Sequence, residues 1–141
     1  QSWQVIMANI ELKRGHQTQV NVSYIPTGSS YTTNFNSSSS AYTGTLVIRR
    51  KAGNSYNGPL VDSLTSSTSG NNADSAGAYR IRFPAVGGDD TSVNITLHWS
   101  TAQAEALPNE EVTVYGDLKI VSSNETIHSF RLTFDIVPEI I

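Results

Sequence analysis

The sequence predicts an all-β chain. It reads as an immunoglobulin-like antiparallel β-sandwich of about eight strands with one short helical turn, folded as a single domain over residues 1–141. Three observations carry this. Apolar and polar residues alternate with period two in short segments along the whole chain. Turn-forming residues separate those segments at short, regular spacing, which is the pattern of a sandwich or barrel. Charged residues are only 15% of the chain, against roughly 25% in typical soluble domains. Ser, Thr and Asn fill the difference, which suits exposed strand faces and disfavours long surface helices. No internal repeat is visible, which removes solenoids and propellers.

The elements follow in order. Trp3, Val5 and Met7 alternate, and then the phase shifts to Ile10 and Leu12. The change at Ala8-Asn9 marks a bulge or a break between two short strands. Arg14-Gly15-His16 is a turn, and Gln17–Ile25 alternates with Thr18, Val20, Val22 and Tyr24 on one face. Ser29–Ser40 is a polar loop carrying Tyr31 and Phe35. Ala41–Lys51 is a strand with Tyr42, Leu46 and Ile48 inward, and Ala52–Pro59 is a turn with two glycines. Leu60–Leu64 is a short strand. Thr65–Gly77 lacks every large apolar side chain and cannot be core.

Tyr79–Phe83 alternates ring or aliphatic with Arg, as a half-buried strand does, and Pro84–Asp90 is a turn. In Ser92–Trp99, Val93, Ile95, Leu97 and Trp99 share one face and are core. Ser100 is the N-cap of a helix of about two turns that Pro108 ends. Val112–Val121 and Thr126–Val137 form a closing hairpin, with Phe130, Leu132, Phe134 and Ile136 facing one way.

The bulk numbers exclude several functions. At 141 residues the chain can bury roughly 70% of the surface its unfolded form exposes, enough for its own core. The net charge of −3 argues against a nucleic-acid partner and against a membrane surface, both of which need concentrated Lys and Arg. Arg49-Arg50-Lys51 is the single basic run and reads as a solvated strand end. There is no cysteine, which excludes disulfides, thiolate zinc sites and cysteine nucleophiles. No run of about 18 apolar residues exists to cross a membrane as a helix. Four Asn-X-Ser/Thr sequons, at Asn21, Asn36, Asn94 and Asn124, are expected by chance in a chain this rich in Ser and Thr.

No catalytic constellation emerges. His16, His98 and His128 lack ligand spacing, so no metal site is expected. His98 and His128 fall on the faces opposite their strands' apolar residues and are expected to point outward. Gly87-Gly88-Asp89-Asp90 lacks the alternating carboxylates of a calcium loop and reads as a turn. No G-x-S-x-G elbow marks a serine nucleophile. Glu11, Asp62, Asp117 and Asp135 are scattered, and nothing in the sequence joins them into an acid pair. The reading is therefore of a non-enzyme without cofactor. Tyr31, Phe35 and Tyr56 are aromatics in polar loops, the kind of residue that anchors a protein or sugar contact.

Several segments together resemble a known family. Leu12–Thr18 (LKRGHQT) is similar to an opening "basic-Gly-Asp-Thr" turn, with His16-Gln17 where the family has an acidic residue. Leu46–Lys51 resembles a "hydrophobic-basic" strand, and Ser100–Pro108 a "Ser-Ala-x-Glu-x-Ala-Leu-Pro" helical turn. Tyr115-Gly116-Asp117-Leu118 sits where the family has an aromatic followed by Asp-Leu, and Phe130–Glu139 resembles its closing strand ending in Pro-Glu. In this order they resemble the N-terminal β-sandwich of tailed-phage baseplate upper proteins and related small phage tail and virion proteins. Ser29–Ser40 and Thr65–Gly77 are longer than the family's loops.

The resemblance implies a structural virion component of the tail or baseplate, assembled in the host cytoplasm, that docks a receptor-binding or fibre protein. Other virion proteins, in a multi-copy assembly, are the expected partners. Gln1–Gln4 and Pro138–Ile141, with the apolar Ile140 and Ile141, are the expected inter-subunit contacts. The alternatives are a capsid decoration (cement) protein and a carbohydrate-binding or adhesin module, in which Tyr31, Phe35 and Tyr56 would share one glycan platform.

Overall fold

The computed structural model of the chain describes residues 3–5, 9–26, 43–66, 80–82, 93–121 and 127–139. Among them, nine strands and one helix follow in the order β1 (Trp3–Val5), β2 (Ile10–Lys13), β3 (Thr18–Pro26), β4 (Thr43–Arg49), β5 (Leu60–Thr65), β6 (Ile81–Arg82), β7 (Val93–Trp99), α1 (Thr101–Glu105), β8 (Val112–Val121) and β9 (Ile127–Val137). They form two sheets, a four-stranded one in the order β1-β3-β7-β6 and a five-stranded one in the order β2-β9-β8-β4-β5. Lettered along the chain with β1 and β2 as A and A′, these orders are A-B-E-D and A′-G-F-C-C′, the layout of a variable-type immunoglobulin-like sandwich. The fold is thus the all-β sandwich that the alternation predicts.

Two details differ from the expectation. The sandwich is not wholly antiparallel, because β2 pairs in parallel with β9, Ile10 opposite Phe134 through Lys13 opposite Val137. The two short strands on either side of residues 6–8, which lie outside the described residues, join different sheets, β1 against β3 and β2 against β9. The helix is also shorter than two turns. Ser100 caps it as expected, accepting from the Gln103 N–H while the Gln103 side chain accepts from the Ser100 N–H. After Glu105 the bonds tighten to i→i+3: Ala106 N–H donates to Gln103 O and Leu107 N–H to Ala104 O, both at 3.2 Å. That tightening turns Leu107 into the core.

The core lies between the sheets and follows the alternation. Leu46, Ile48, Ile95, Leu97, Trp99, Leu132, Phe134 and Ile136 are all buried, and Phe130 packs against them. Trp99 and Phe134 meet across the two sheets edge to face, with ring centroids 6.0 Å apart.

With no disulfide available, polar bonds also tie the layers. Arg80, just before β6, donates to Asp62 on β5 through Nη1 (3.1 Å) and Nη2 (2.8 Å), and Trp99 Nε1 donates to the same carboxylate at 3.0 Å. This clasp joins the edge strand of one sheet to the other sheet.

His98 departs from its expected place. It does lie opposite Ile95, Leu97 and Trp99, but it is only 4% exposed. β7 is an inner strand, flanked by β3 and β6, and its outward phase at His98 does not carry exposure with it. His16 is exposed in its turn, as expected. The side chains of Val93 and His128, and Tyr42, Tyr79, Phe83, Gly87–Asp90, Ser29–Ser40 and residues 67–77, lie outside the described residues; Thr65 ends β5 and Ser66 is buried.

Candidate functional site

The β4–β5 connection folds back over the outer face of the five-stranded sheet. Its geometry is set by backbone bonds. Arg50 N–H donates to Pro59 O at 3.0 Å, Gly58 N–H to Arg50 O at 2.9 Å, and Ala52 and Ser55 exchange both of theirs. Gly53 adopts φ +63° at the tip, the left-handed region that glycine enters without strain. Gly58 is required for a different reason, since a Cβ there would collide with the Arg50 carbonyl.

This loop places Tyr56 against two strands. Its ring meets that of Tyr115 on β8 edge to face, with centroids 4.9 Å apart and planes at 78°. The Arg131 guanidinium carbon, on β9, lies 3.9 Å from the Tyr56 centroid. Lys51 Nζ sits 4.6 Å from the Tyr56 ring and 5.4 Å from that of Tyr115. Arg131 Nε in turn donates to Asp117 Oδ1 at 3.1 Å, and Asp117 and Arg131 face each other in the β8–β9 register. Two cations thus lie on the faces of two rings, an arrangement of about 0.5–1 kcal/mol each at exposed sites.

The cluster is open to solvent. Tyr56 is 38% exposed, and Lys51, Asp117 and Arg131 are exposed. Leu60, at 56%, extends the face apolarly beside Arg49. The expected solvated strand end is more engaged than the sequence suggests. Arg49 donates to Gly58 O, Arg50 pairs with Glu110, and Lys51 rests on the rings.

Of the residues singled out from sequence, Tyr56 is here. Tyr31, Phe35, Ile140 and Ile141 lie outside the described residues. Tyr115 and Arg131 are new to the site. Their outward phase on β8 and β9 was readable, but their meeting with Tyr56 depends on how a ten-residue connection folds.

The four acids are less scattered than the sequence suggests. Glu11 and Asp135 face each other in the β2–β9 register. With Glu111 and Thr113 they line an open groove of about 490 Å³. Asp135 already accepts from Thr113 Oγ1 (2.9 Å) and Asn9 Nδ2 (3.2 Å). Asp62 and Asp117 hold arginines. Among the described residues, no group of three or more His, Cys, Asp or Glu is placed to hold a metal. Nor, among them, is any helix long and apolar enough to cross a membrane.

The fold and this face define an immunoglobulin-like sandwich that presents an aromatic–cationic surface on its five-stranded sheet. No family model matches the sequence, and no curated protein matches it. Among solved structures, one of murine CRIg aligns over 99% of this chain and 100% of that chain, with 7% identity and a TM-score of 0.40.

Proposed function

We propose that the chain is a non-enzymatic structural protein of a phage virion, placed in the tail or baseplate, that docks a neighbouring protein on the outer face of its five-stranded sheet. One observation carries the docking part. Tyr56, Tyr115, Arg131 and Lys51 form a preassembled, exposed cluster of the residue types that anchor interfaces, with Tyr and Arg foremost. Their mutual contacts hold the rings in place before any partner arrives, which lowers the ordering cost of binding. The virion context rests on the ordered motifs from Leu12–Thr18 to Phe130–Glu139. Many copies in one particle would make a modest contact at each cluster collectively strong.

Cryo-electron microscopy of the assembled particle tests this. Density at the tail tip or baseplate, with the Tyr56 face against another protein, is expected. Density spread over the capsid lattice would move the role to decoration. Absence from any particle would overturn the virion reading.

A second reading has its own support. An exposed tyrosine flanked by Lys and Arg also suits a sugar ring, particularly an acidic one. Glycan affinity lost in Tyr56→Ala would favour the carbohydrate-binding module over protein docking.

A further inference from the structure

We propose that Arg82 and His98, on the outer face of the four-stranded sheet, form a binding site for one small monocarboxylate. This is the opposite side of the sandwich from the Tyr56 cluster and does not depend on it. Ile81 is buried in the core, so its β6 neighbour Arg82 faces outward, whereas Arg80, just before the strand, turns its guanidinium to Asp62 on the other sheet. Leu97 and Trp99 are buried in the same way, which turns His98 outward between them. The register sets Ile81 opposite Leu97 and Arg82 opposite Thr96. The His98 N–H donates to Arg80 O at 2.9 Å, which continues that pairing. Arg82 and His98 are therefore diagonal neighbours on one face, a spacing of roughly 7–8 Å that long side chains span.

Among the described residues, both carry a buried nitrogen with no hydrogen-bond partner, Nε of Arg82 and Nδ1 of His98. Buried polar groups are nearly always satisfied, and leaving one unpaired is costly. Two of them on adjacent side chains point to one shared acceptor.

The ligand's chemistry follows from charge and shape. The Arg80 guanidinium is already neutralised by both oxygens of Asp62, and its Nε is used by His98 O. Among the described residues, no carboxylate pairs with Arg82. One positive charge without a carboxylate partner among the described residues matches a monoanion better than a phosphate dianion. The Nε–H and adjacent Nη–H of an arginine form a planar fork that takes both oxygens of a carboxylate. His98, in the tautomer carrying its proton on Nδ1, supplies a third donor.

Burial first, then Arg82 and then Arg80, hold the His98 pKa below its usual 6.5. The β3 register sets uncharged Gln19 on its other side. A carboxylate beside the imidazole would oppose both arginines and raise that pKa.

The test is an NMR titration of His98 in the whole chain with sodium acetate, at ionic strength held constant with sodium chloride. The expected result is a saturable shift of the His98 Nδ1 resonance and a rise of its titration midpoint by about 1 pH unit. Both should vanish in Arg82→Gln, and phosphate should bind more weakly than acetate. Arg82→Met should melt at or above the wild-type temperature, because it deletes a buried donor that has no partner. Three results would overturn the site: no saturable shift, a shift that survives Arg82→Gln (an adventitious ion only), or an Arg82→Met chain that melts lower, which would mean Arg82 is paired within the fold. Phosphate binding tighter than acetate would overturn the carboxylate assignment.

Discussion

Asp62, Arg80 and Trp99 on one side, and Asp117, Arg131, Tyr56 and Tyr115 on another, are built from the same three kinds of group: a carboxylate, a guanidinium and aromatic rings. What separates them is water. The side chains of Arg80 and Asp62 are 11% and 19% exposed, and those of Arg131 and Asp117 are 42% and 65% exposed. In the first cluster the carboxylate accepts four bonds, two from one guanidinium, one from an indole and one from the Ser63 N–H. In the second it accepts one from its arginine, and the guanidinium lies on a ring. The same chemistry is a structural clasp where water is excluded and a presentable surface where it is not. A screened pair contributes little to folding, so it is free to be used in binding.

The clasp gives the largest expected effect. Asp62→Ala would leave Arg80 desolvated and unpaired and remove the acceptor of the Trp99 indole. Breaking such a pair costs about 3 kcal/mol, taken at the low end because the site is not fully dry. Urea unfolding would read this as a lower midpoint at unchanged m-value. A loss below about 1 kcal/mol would place the clasp in the same class as the exposed cluster and erase the contrast. Trp99→Phe sharpens the same point. It keeps an aromatic ring near Phe134 but deletes the bond to Asp62, for an expected loss of about 1–2 kcal/mol.

The contrast was only partly legible in the sequence. Period two reveals which face a side chain takes, and that placed Leu46, Ile48, Ile95, Leu97, Trp99 and the Phe130–Ile136 set correctly. Ser100 was legible because a cap is a local device. Period two does not reveal which strand lies alongside. The parallel β2–β9 pair, the Asp62–Arg80 clasp across 18 residues and the Tyr56–Tyr115 contact across 59 residues were therefore out of reach. The burial of His98 failed for the same reason. Its phase is outward, and the phase does not reveal what lies over that face.

That buried imidazole gives a smaller, pH-dependent effect. Its folded-state pKa lies below the usual 6.5, so as pH falls through 6.5 the unfolded chain takes up a proton before the folded one does. Stability from this group is complete above that value and declines as pH drops toward the folded-state pKa. Urea midpoints at about pH 7.5 and about pH 5.5 should therefore differ more in the wild type than in His98→Gln. Equal differences would show that His98 stays hydrated, on the same side of the contrast as the Tyr56 face.

The smallest expected effect on folding is the most informative about use. Tyr56→Ala and Arg131→Ala remove solvent-exposed contacts, so each should cost no more than about 1 kcal/mol, the scale of an exposed cation–π contact. The same substitutions should weaken docking to the neighbouring protein by about tenfold or more, the scale of an interface anchor. Raising salt should weaken docking too, because Lys51 and Arg131 act through solvent-exposed charge, while the Asp62 clasp should hold its stability. Two measurements on one variant thus separate the roles: a chain that unfolds like the wild type but no longer binds is using Tyr56 and Arg131 as a surface. A variant that loses stability and binding in proportion would instead make the exposed cluster a second clasp, with the partner seated elsewhere on the sandwich.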